Sequence, residues 1–339
     1  MADDQTTRAA TIFDVARLAG VSHQTVSRVL NDLPNVRPAT QQRVREAIAQ
    51  LNYSPSPAAR ALVTRRTRTI GLITPDNVDY GPSSIAMHVN KAAREARYSV
   101  DAVSTQGSSE SAVRASIEGL LRQRVDAVVV IVAERAALEV VRALDMSVPL
   151  VASAASPRPS SRTVSIDQYR GARAAVAHLA ELGHTRIRHL AGPLDAPDAT
   201  ERLRGWRDEL AARQLETAEP RHGDWSAASG FALGHELDLE PGSAVFVAND
   251  QMSIGLMSAL RQRGLSVPRD VSIVGFDDVP EAGFLYPPLT TVRQDFAALG
   301  RAIVQKVLFA LEDDAEATTD TPLPAQLVIR ESTAEIEPD

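Results

Sequence analysis

The sequence predicts a small all-α helix-turn-helix head joined to an α/β body built on parallel sheets. Three observations carry that expectation. From Arg8 to Arg68, ten arginines stand against Asp14, Asp32 and Glu46, a local charge of +7 in a 339-residue chain whose net charge is −7. Two short helix patterns meet at Gly20 within that basic stretch. From Thr69 onward, short apolar runs alternate with amphipathic segments. A basic arm on a strongly acidic body points to nucleic acid as a partner of the arm alone.

The first helix opens at Thr11, with Asp14 placed three residues on to return the capping bond. Ile12, Val15, Ala16 and Ala19 then form one apolar stripe. Gly20 permits a sharp reversal, and Ser22 caps a second short helix with Val26, Val29 and Leu30 on its inner side. A third helix follows, with Pro38 in its first turn and Val44, Ala47, Ile48 and Leu51 along one side. The second helix shows His23, Gln24, Thr25, Ser27 and Arg28 outward. In a helix-turn-helix that element enters the major groove amino end first. His23, Gln24 and Arg28 then face base edges, where Arg suits guanine and Gln suits adenine. Ser22, Thr25, Ser27 and Asn31 suit backbone phosphates, which set register without reading sequence. The alternative for the whole face is an ordinary solvated helix surface.

In the body, the apolar runs 70–74, 99–103, 127–132, 150–152, 187–191, 244–248 and 271–276 predict strands. The segments 85–98, 112–123, 167–182, 200–213 and 251–262 predict helices between them. Such alternation implies parallel sheets covered on both faces, with ligands bound beyond the strands' carboxyl ends. The residues there are Asp76, Asn77, Ser153, Asn249, Asp250, Asp277 and Asp278, with Trp225, Phe246 and Phe296 as nearby aromatics. Carboxylates and amides with an aromatic face suit a sugar. Helix caps and loop contacts are the competing explanation, preferred for Asp250 and Asp278; Asn249 and Asp277 are assigned to the ligand.

The bulk composition bounds the rest. With 44% hydrophobic and 23% charged residues the chain is an ordinary globular protein, and it has no cysteine. That excludes disulfides and thiolate metal sites and suits a reducing cytoplasm. The opening MADDQTTRAA is too polar for a secretory signal, and no apolar run is long enough for a membrane span. His178, His184 and His189 lack a nearby carboxylate or cysteine partner set, so no metal and no cofactor is expected. No phosphate loop, nucleophile elbow or paired-carboxylate set appears either, so no enzyme is expected.

The stretches TIFDVARLAGVSHQTVSRVLND and ATQQRVREAIAQLNYSPSPAARAL resemble the DNA-binding head of the lactose-repressor (LacI/GalR) family of bacterial transcription regulators. The resemblance continues through HLAGPLDAPDATERLRGWRDEL, GDWSAASGF, VFVANDQMSIGLMSAL, VSIVGFDD and YPPLTTVRQDFAALG, closest to the lactose-repressor branch. It implies a periplasmic-binding-protein-like core: two doubly wound parallel-sheet subdomains joined by three crossovers, with the ligand between them. The implied division is a head at 8–54, a hinge helix and linker at 55–68, and an effector-binding, dimerising core at 69–339. In the hinge, Ala59 and Leu62 would sit in the minor groove, Leu62 as the wedge between base pairs; a plain basic linker is the alternative. By matched position, Arg202, Asn249 and Asp277 would bind ligand hydroxyls, Trp225 and Phe296 would stack on the ring, and Gln294 would line the cleft. Ile85, near Pro82 and Ser83, would form the opposite wall.

Two departures stand out. Galactoside-binding members of the branch carry an aspartate just after the strand matching 150–152, where this chain reads VPLVASAAS, with Ser153 and Ala154. The carboxyl end, LVIRESTAEIEPD, has no leucine heptads, so a homodimer is expected. The resulting expectation is a cytoplasmic repressor that binds a pseudo-palindromic duplex operator and is released by a sugar or glycoside. The alternatives are a regulator using a purine-like co-repressor or a phosphoprotein partner, and a plain sugar receptor.

Overall fold

A computed structural model describes residues 10–30, 33–53, 66–76, 79–105, 109–144, 146–155, 162–312 and 321–336. The chain forms two compact units, Met1–Thr67 and Arg68–Asp339.

The first unit contains α1 (Ile12–Ala19), α2 (His23–Leu30) and α3 (Pro38–Gln50). The Asp14 carboxylate accepts both the Thr11 N–H at 2.9 Å and the Thr11 hydroxyl at 2.6 Å, which fixes the first turn of α1. Gly20 ends α1 in the left-handed region, at φ 65°, where a residue with a Cβ is strained. Ser22 Oγ accepts the Thr25 N–H at 3.2 Å and so caps α2. Val15, Ala16, Ala19, Val26, Val29, Val44 and Ala47 are buried together, with Leu51 and Tyr53 packed at their edge. This small-residue core, almost all Val and Ala, lets three short helices meet closely but buries little apolar area.

The second unit begins with a five-stranded sheet ordered β2-β1-β3-β4-β5, from β1 (Thr69–Pro75), β2 (Ser99–Thr105), β3 (Ala127–Ile131), β4 (Leu150–Ser153) and β5 (Thr163–Val164). Every pairing in it is parallel. Helices α4 (Tyr80–Glu95), α5 (Glu110–Arg122) and α6 (Arg135–Ala143) connect its strands. Alternate residues of β3 serve opposite faces, as the pleat requires. Ala127, Val129 and Ile131 pack with Ile85, Val89 and Ala93 of α4, while Val128 and Val130 pack with Ile117 of α5 and Leu138 of α6.

A second sheet, ordered β11-β10-β9-β8-β6-β7, holds β6 (Ile187–Ala191), β7 (Arg221–His222), β8 (Ser243–Val247), β9 (Val271–Asp277), β10 (Thr290–Arg293) and β11 (Gln326–Val328). Only β11 runs antiparallel, at the edge. Helices α7 (Gln168–Glu181) and α8 (Pro197–Ala212) cover one face through Val176, Leu179, Trp206 and Leu210. Helices α9 (Ala227–Glu236) and α10 (Asp250–Gln262) cover the other, where Met252, Leu256 and Leu260 meet Val245 and Val247.

The last long helix, α11 (Phe296–Leu311), follows β10 of the second sheet, yet Leu299, Ile303, Val304 and Val307 join the core of the first. The chain therefore crosses between the subdomains three times: from β5 to α7, from β10 to α11, and from α11 to β11. Both sheets have helices on both faces, the doubly wound arrangement. Among the described residues no helix is long and apolar enough to cross a membrane.

Candidate functional site

Parallel strands aim their carboxyl ends the same way, so the loops after them gather at one edge of each sheet. Here the two such edges face one another across a cleft lined by residues of both. The first subdomain contributes Ile85 on α4, Ile131 to Ala133 at the end of β3 and Ser153 to Ala155 at the end of β4, and the second contributes Arg202, Trp225, Asn249 and Asp277. Gln294 and Phe296, on either side of the second crossover, complete the wall.

Arg202, on α8 and 3% exposed, organises the polar side of this cleft. Its Nε donates to Gln168 Oε1 at 2.9 Å, and its Nη1 donates to the Ala248 carbonyl. Gln168 Nε2 donates to Gln294 Oε1 at 2.7 Å, and Gln294 Nε2 donates to Asp277 Oδ1 at 2.6 Å. Arg202 Nη2 lies 3.6 Å from that same Asp277 oxygen, closing the circuit. The guanidinium also lies 3.9 Å from the Phe276 ring centre and 5.4 Å from that of Trp225. Gln168 and Gln294 flank two of the three crossovers, so the circuit ties the pivots between subdomains to the cleft.

Burial pushes the Asp277 carboxyl up to about 6, with Arg202 and Gln294 pulling it down and Asp198 pushing it up further. Trp225 and Asp277 hold left-handed backbones, at φ 74° and 117°. Each such conformation costs about 1–3 kcal/mol and persists where the surroundings over-determine it, commonly at functional sites. The aromatic side of the cleft is Tyr80, Trp225 and Phe296, with Tyr80 set edge-on to Phe296 at 5.8 Å.

All seven residues expected to meet an effector, Ile85, Arg202, Trp225, Asn249, Asp277, Gln294 and Phe296, line this one cleft. Asn249 combines cap and wall. Its Oδ1 accepts the Met252 N–H at 2.9 Å, capping α10, and its Nδ2 donates to the Trp225 carbonyl at 2.9 Å and to Gln251 Oε1 at 3.1 Å. Both amide hydrogens thus already have protein partners, and Asn249 sets the Trp225 loop.

Two expectations from the strand ends are corrected. Phe246 is fully buried in the second subdomain, stacked on His189 at 4.7 Å, because its position along β8 turns it into the face covered by α7 and α8, away from the cleft. Asp76 does not line this cleft but a neighbouring hollow, with Thr105, Glu134 and Ala137. Asn77 falls outside the described residues. Asp250 accepts the Thr291 hydroxyl at 2.6 Å and the Val279 N–H at 2.9 Å, and burial pushes its carboxyl up to about 8. Asp278 is held between Arg293 and Arg330, each at 2.6 Å. Sequence reasoning missed Gln168, Tyr80, Asp79 and Asp198, all of which line the cleft.

The three histidines go separate ways. His178 meets Thr333 Oγ1 at 3.0 Å, and His184 lies between the Gly242 and Ala334 carbonyls at 3.0 and 3.2 Å. His189 Nδ1 meets the Phe246 carbonyl at 2.9 Å, and burial pushes its ring down to about 3.

On the first unit, His23, Gln24 and Arg28 are exposed on α2, as is Ser22 just before it, whereas Thr25 and Ser27 are half-buried. Phe13 of α1 is 61% exposed and its ring lies 5.3 Å from that of His23. Asn31, Ala59 and Leu62 fall outside the described residues.

A helix-turn-helix head with an exposed Gln/Arg face, joined to two α/β lobes around a polar-aromatic cleft, defines a ligand-responsive DNA-binding regulator. Residues 11–56 match the lacI family of bacterial regulatory proteins, and residues 176–333 match the periplasmic binding protein-like domain. The lactose operon repressor of Escherichia coli (strain K12) is 36% identical over 328 residues, covering 95% of this chain and 90% of the repressor. A crystal structure of the lac repressor dimer bound to operator and the anti-inducer ONPF superposes with a TM-score of 0.85 at 35% identity, covering 96% of this chain and all of that one. A transcriptional regulator CelR–cellobiose complex superposes with a TM-score of 0.68 at 32% identity, covering 95% of this chain and 99% of that one. The chain belongs to the LacI family of DNA-binding transcription regulators.

Proposed function

We propose that this regulator is a homodimeric repressor whose hold on a pseudo-palindromic operator is released by an uncharged sugar or glycoside bound in the cleft. The observation that carries the reading is the closed Arg202–Gln168–Gln294–Asp277 circuit in the same cleft as Tyr80, Trp225 and Phe296. Hydroxyls of a sugar find donors and acceptors in the circuit, while the ring's C–H face finds aromatic surface in Tyr80, Trp225 and Phe296. Because the circuit spans two crossovers, a ligand that joins it changes the lobes' preferred angle. A coupling of about 1–3 kcal/mol between cleft and operator gives a usable switch. The cleft binds without catalysis, so the sugar is recovered unchanged.

Fluorescence anisotropy on a labelled duplex from the chain's own promoter, titrated with lactose, cellobiose and ribose, tests this directly. One of these is expected to release the DNA; release by none, with a purine or phosphoprotein acting instead, sinks the sugar reading. Asp277→Ala is expected to raise the sugar concentration needed by about 10- to 100-fold, the worth of one charge-assisted hydrogen bond of about 1.5–3 kcal/mol. Response at an unchanged concentration would show that the ligand sits elsewhere.

On the head, His23, Gln24 and Arg28 read bases while Ser22, Thr25, Ser27 and Asn31 hold phosphates. Arg28→Ala is expected to relax preference at one base pair of each half-site by about 1–3 kcal/mol, leaving other positions as selective as before. Equal weakening on every sequence would make Arg28 a phosphate contact.

A further inference from the structure

The wall after β4 has no carboxylate: Ser153, Ala154 and Ala155 bring one hydroxyl, two methyl groups and backbone to the cleft. Directly across from it, in the first turn of α8, stands Asp198. It belongs to the second subdomain, yet its Oδ1 accepts the Ala155 N–H of the first at 3.2 Å. Among the described residues it accepts no other hydrogen bond, so an oxygen remains for a ligand. Asp198 is half-buried; burial pushes its carboxyl up, while Arg202 and the Ala155 N–H pull it down by favouring the ionised form.

We propose that Asp198 supplies, from the opposite lobe, the hydrogen-bond-accepting carboxylate that the β4 wall lacks, and that it selects an uncharged sugar hydroxyl while turning away phosphorylated sugars. The inference rests on the reading of the cleft as a sugar site. An ionised carboxylate only accepts, so it discriminates for a donor; a hydroxyl or methyl at Ser153 or Ala154 cannot make that discrimination. The charges agree. Asp79, Asp198 and Asp277 line the cleft against the single guanidinium of Arg202, among the described residues. A phosphate there meets like charge in a poorly solvated space, which costs far more than it would at the surface. Position adds a consequence for switching. Asp198 already touches the first lobe through Ala155, so a hydroxyl donated to it is held where the two lobes meet.

Isothermal titration of the purified full chain with lactose, cellobiose, ribose and glucose 6-phosphate tests the assignment, followed by monodeoxy versions of whichever sugar binds. Glucose 6-phosphate is expected not to bind. Asp198→Ala is expected to weaken the bound sugar by about tenfold or more, and one monodeoxy analogue should weaken wild-type binding equally. That same analogue should then bind the variant no worse than the parent sugar does, which separates a lost contact from a disturbed lobe. Asp198→Asn preserves the size of the side chain and an acceptor for Ala155, so it reports if the alanine variant fails to fold by circular dichroism. Unchanged sugar affinity in both variants overturns the proposal while leaving the sugar reading intact, and so does glucose 6-phosphate binding as tightly as a neutral sugar. Binding of none of the neutral sugars to the wild type overturns the sugar reading and this proposal together.

Discussion

Arg202→Ala is expected to remove effector binding altogether and to cost the body about 3–5 kcal/mol of unfolding free energy near neutral pH, the usual consequence of breaking a buried ion pair from one side. Arg202 and Asp277 side chains are only 4% and 6% exposed. The substitution strands the Ala248 carbonyl and Gln168 Oε1 as buried acceptors, besides leaving Asp277 without its cation. It also removes the charge that pulls the Asp277 carboxyl down toward about 6. In the variant that carboxyl therefore rises further. An acid whose folded value lies above its unfolded value contributes stability that is present at low pH and lost as pH climbs through the folded value. The gap between wild type and variant should accordingly be wide at pH 8 and narrower at pH 5, where Asp277 carries a proton in both. Urea melts of the body's transition at the two pH values measure it. A gap that is the same at both would mean the pair contributes nothing through charge.

Much of this architecture is visible in the chain because parallel strands covered on both faces are continuous apolar runs. AVVVI of β3 and SAVFV of β8 announce themselves, and their ends fix where a ligand must bind. Other elements are hidden for physical reasons. Helix α9, AASGFALGHE, is rich in Gly and Ala, since it is shaped for close approach and has no clean apolar stripe. Strands β5 and β7 are two residues each and carry no period. Phe246 shows why an aromatic near a strand end is a weak ligand signal: its alternation with Val245 and Val247 sends it to the opposite face from theirs, into the core under α7 and α8 rather than toward the cleft. Asp198, beside Pro197, reads in sequence as an acid of a helix's first turn. Its place opposite Ala155 depends on a contact across 43 residues of chain, which no local pattern encodes.

Gly255→Val should be among the most damaging single changes in the body, and its damage should reach the cleft. Helices α9 and α10 cross backbone against backbone. A Cβ at Gly255 would meet the Ala227 carbonyl and lie 2.6 Å from the Phe231 nitrogen, and one at Gly230 would lie 2.7 Å from the Met252 Cα. Backbone cannot rotate aside as a flexible side chain can, so a valine must drive the helices apart. Overpacking typically costs about 1–3 kcal/mol and more where nothing can yield, so about 3 kcal/mol or above is expected here. The strain has a direct route to the site. Ser226 caps α9 next to Trp225, and Asn249 caps α10 while holding the Trp225 carbonyl, so separating the helices moves the aromatic wall. Sugar affinity should fall with stability. Gly119→Ala, in α5, provides the contrast: its Cβ meets nothing closer than 3.9 Å, and helix propensity favours the change by up to about 1 kcal/mol. Thermal melts of the two variants should diverge in opposite directions from the wild type while only Gly255→Val loses sugar affinity, and a Gly255→Val protein that melts and binds like wild type would show that the crossing has slack.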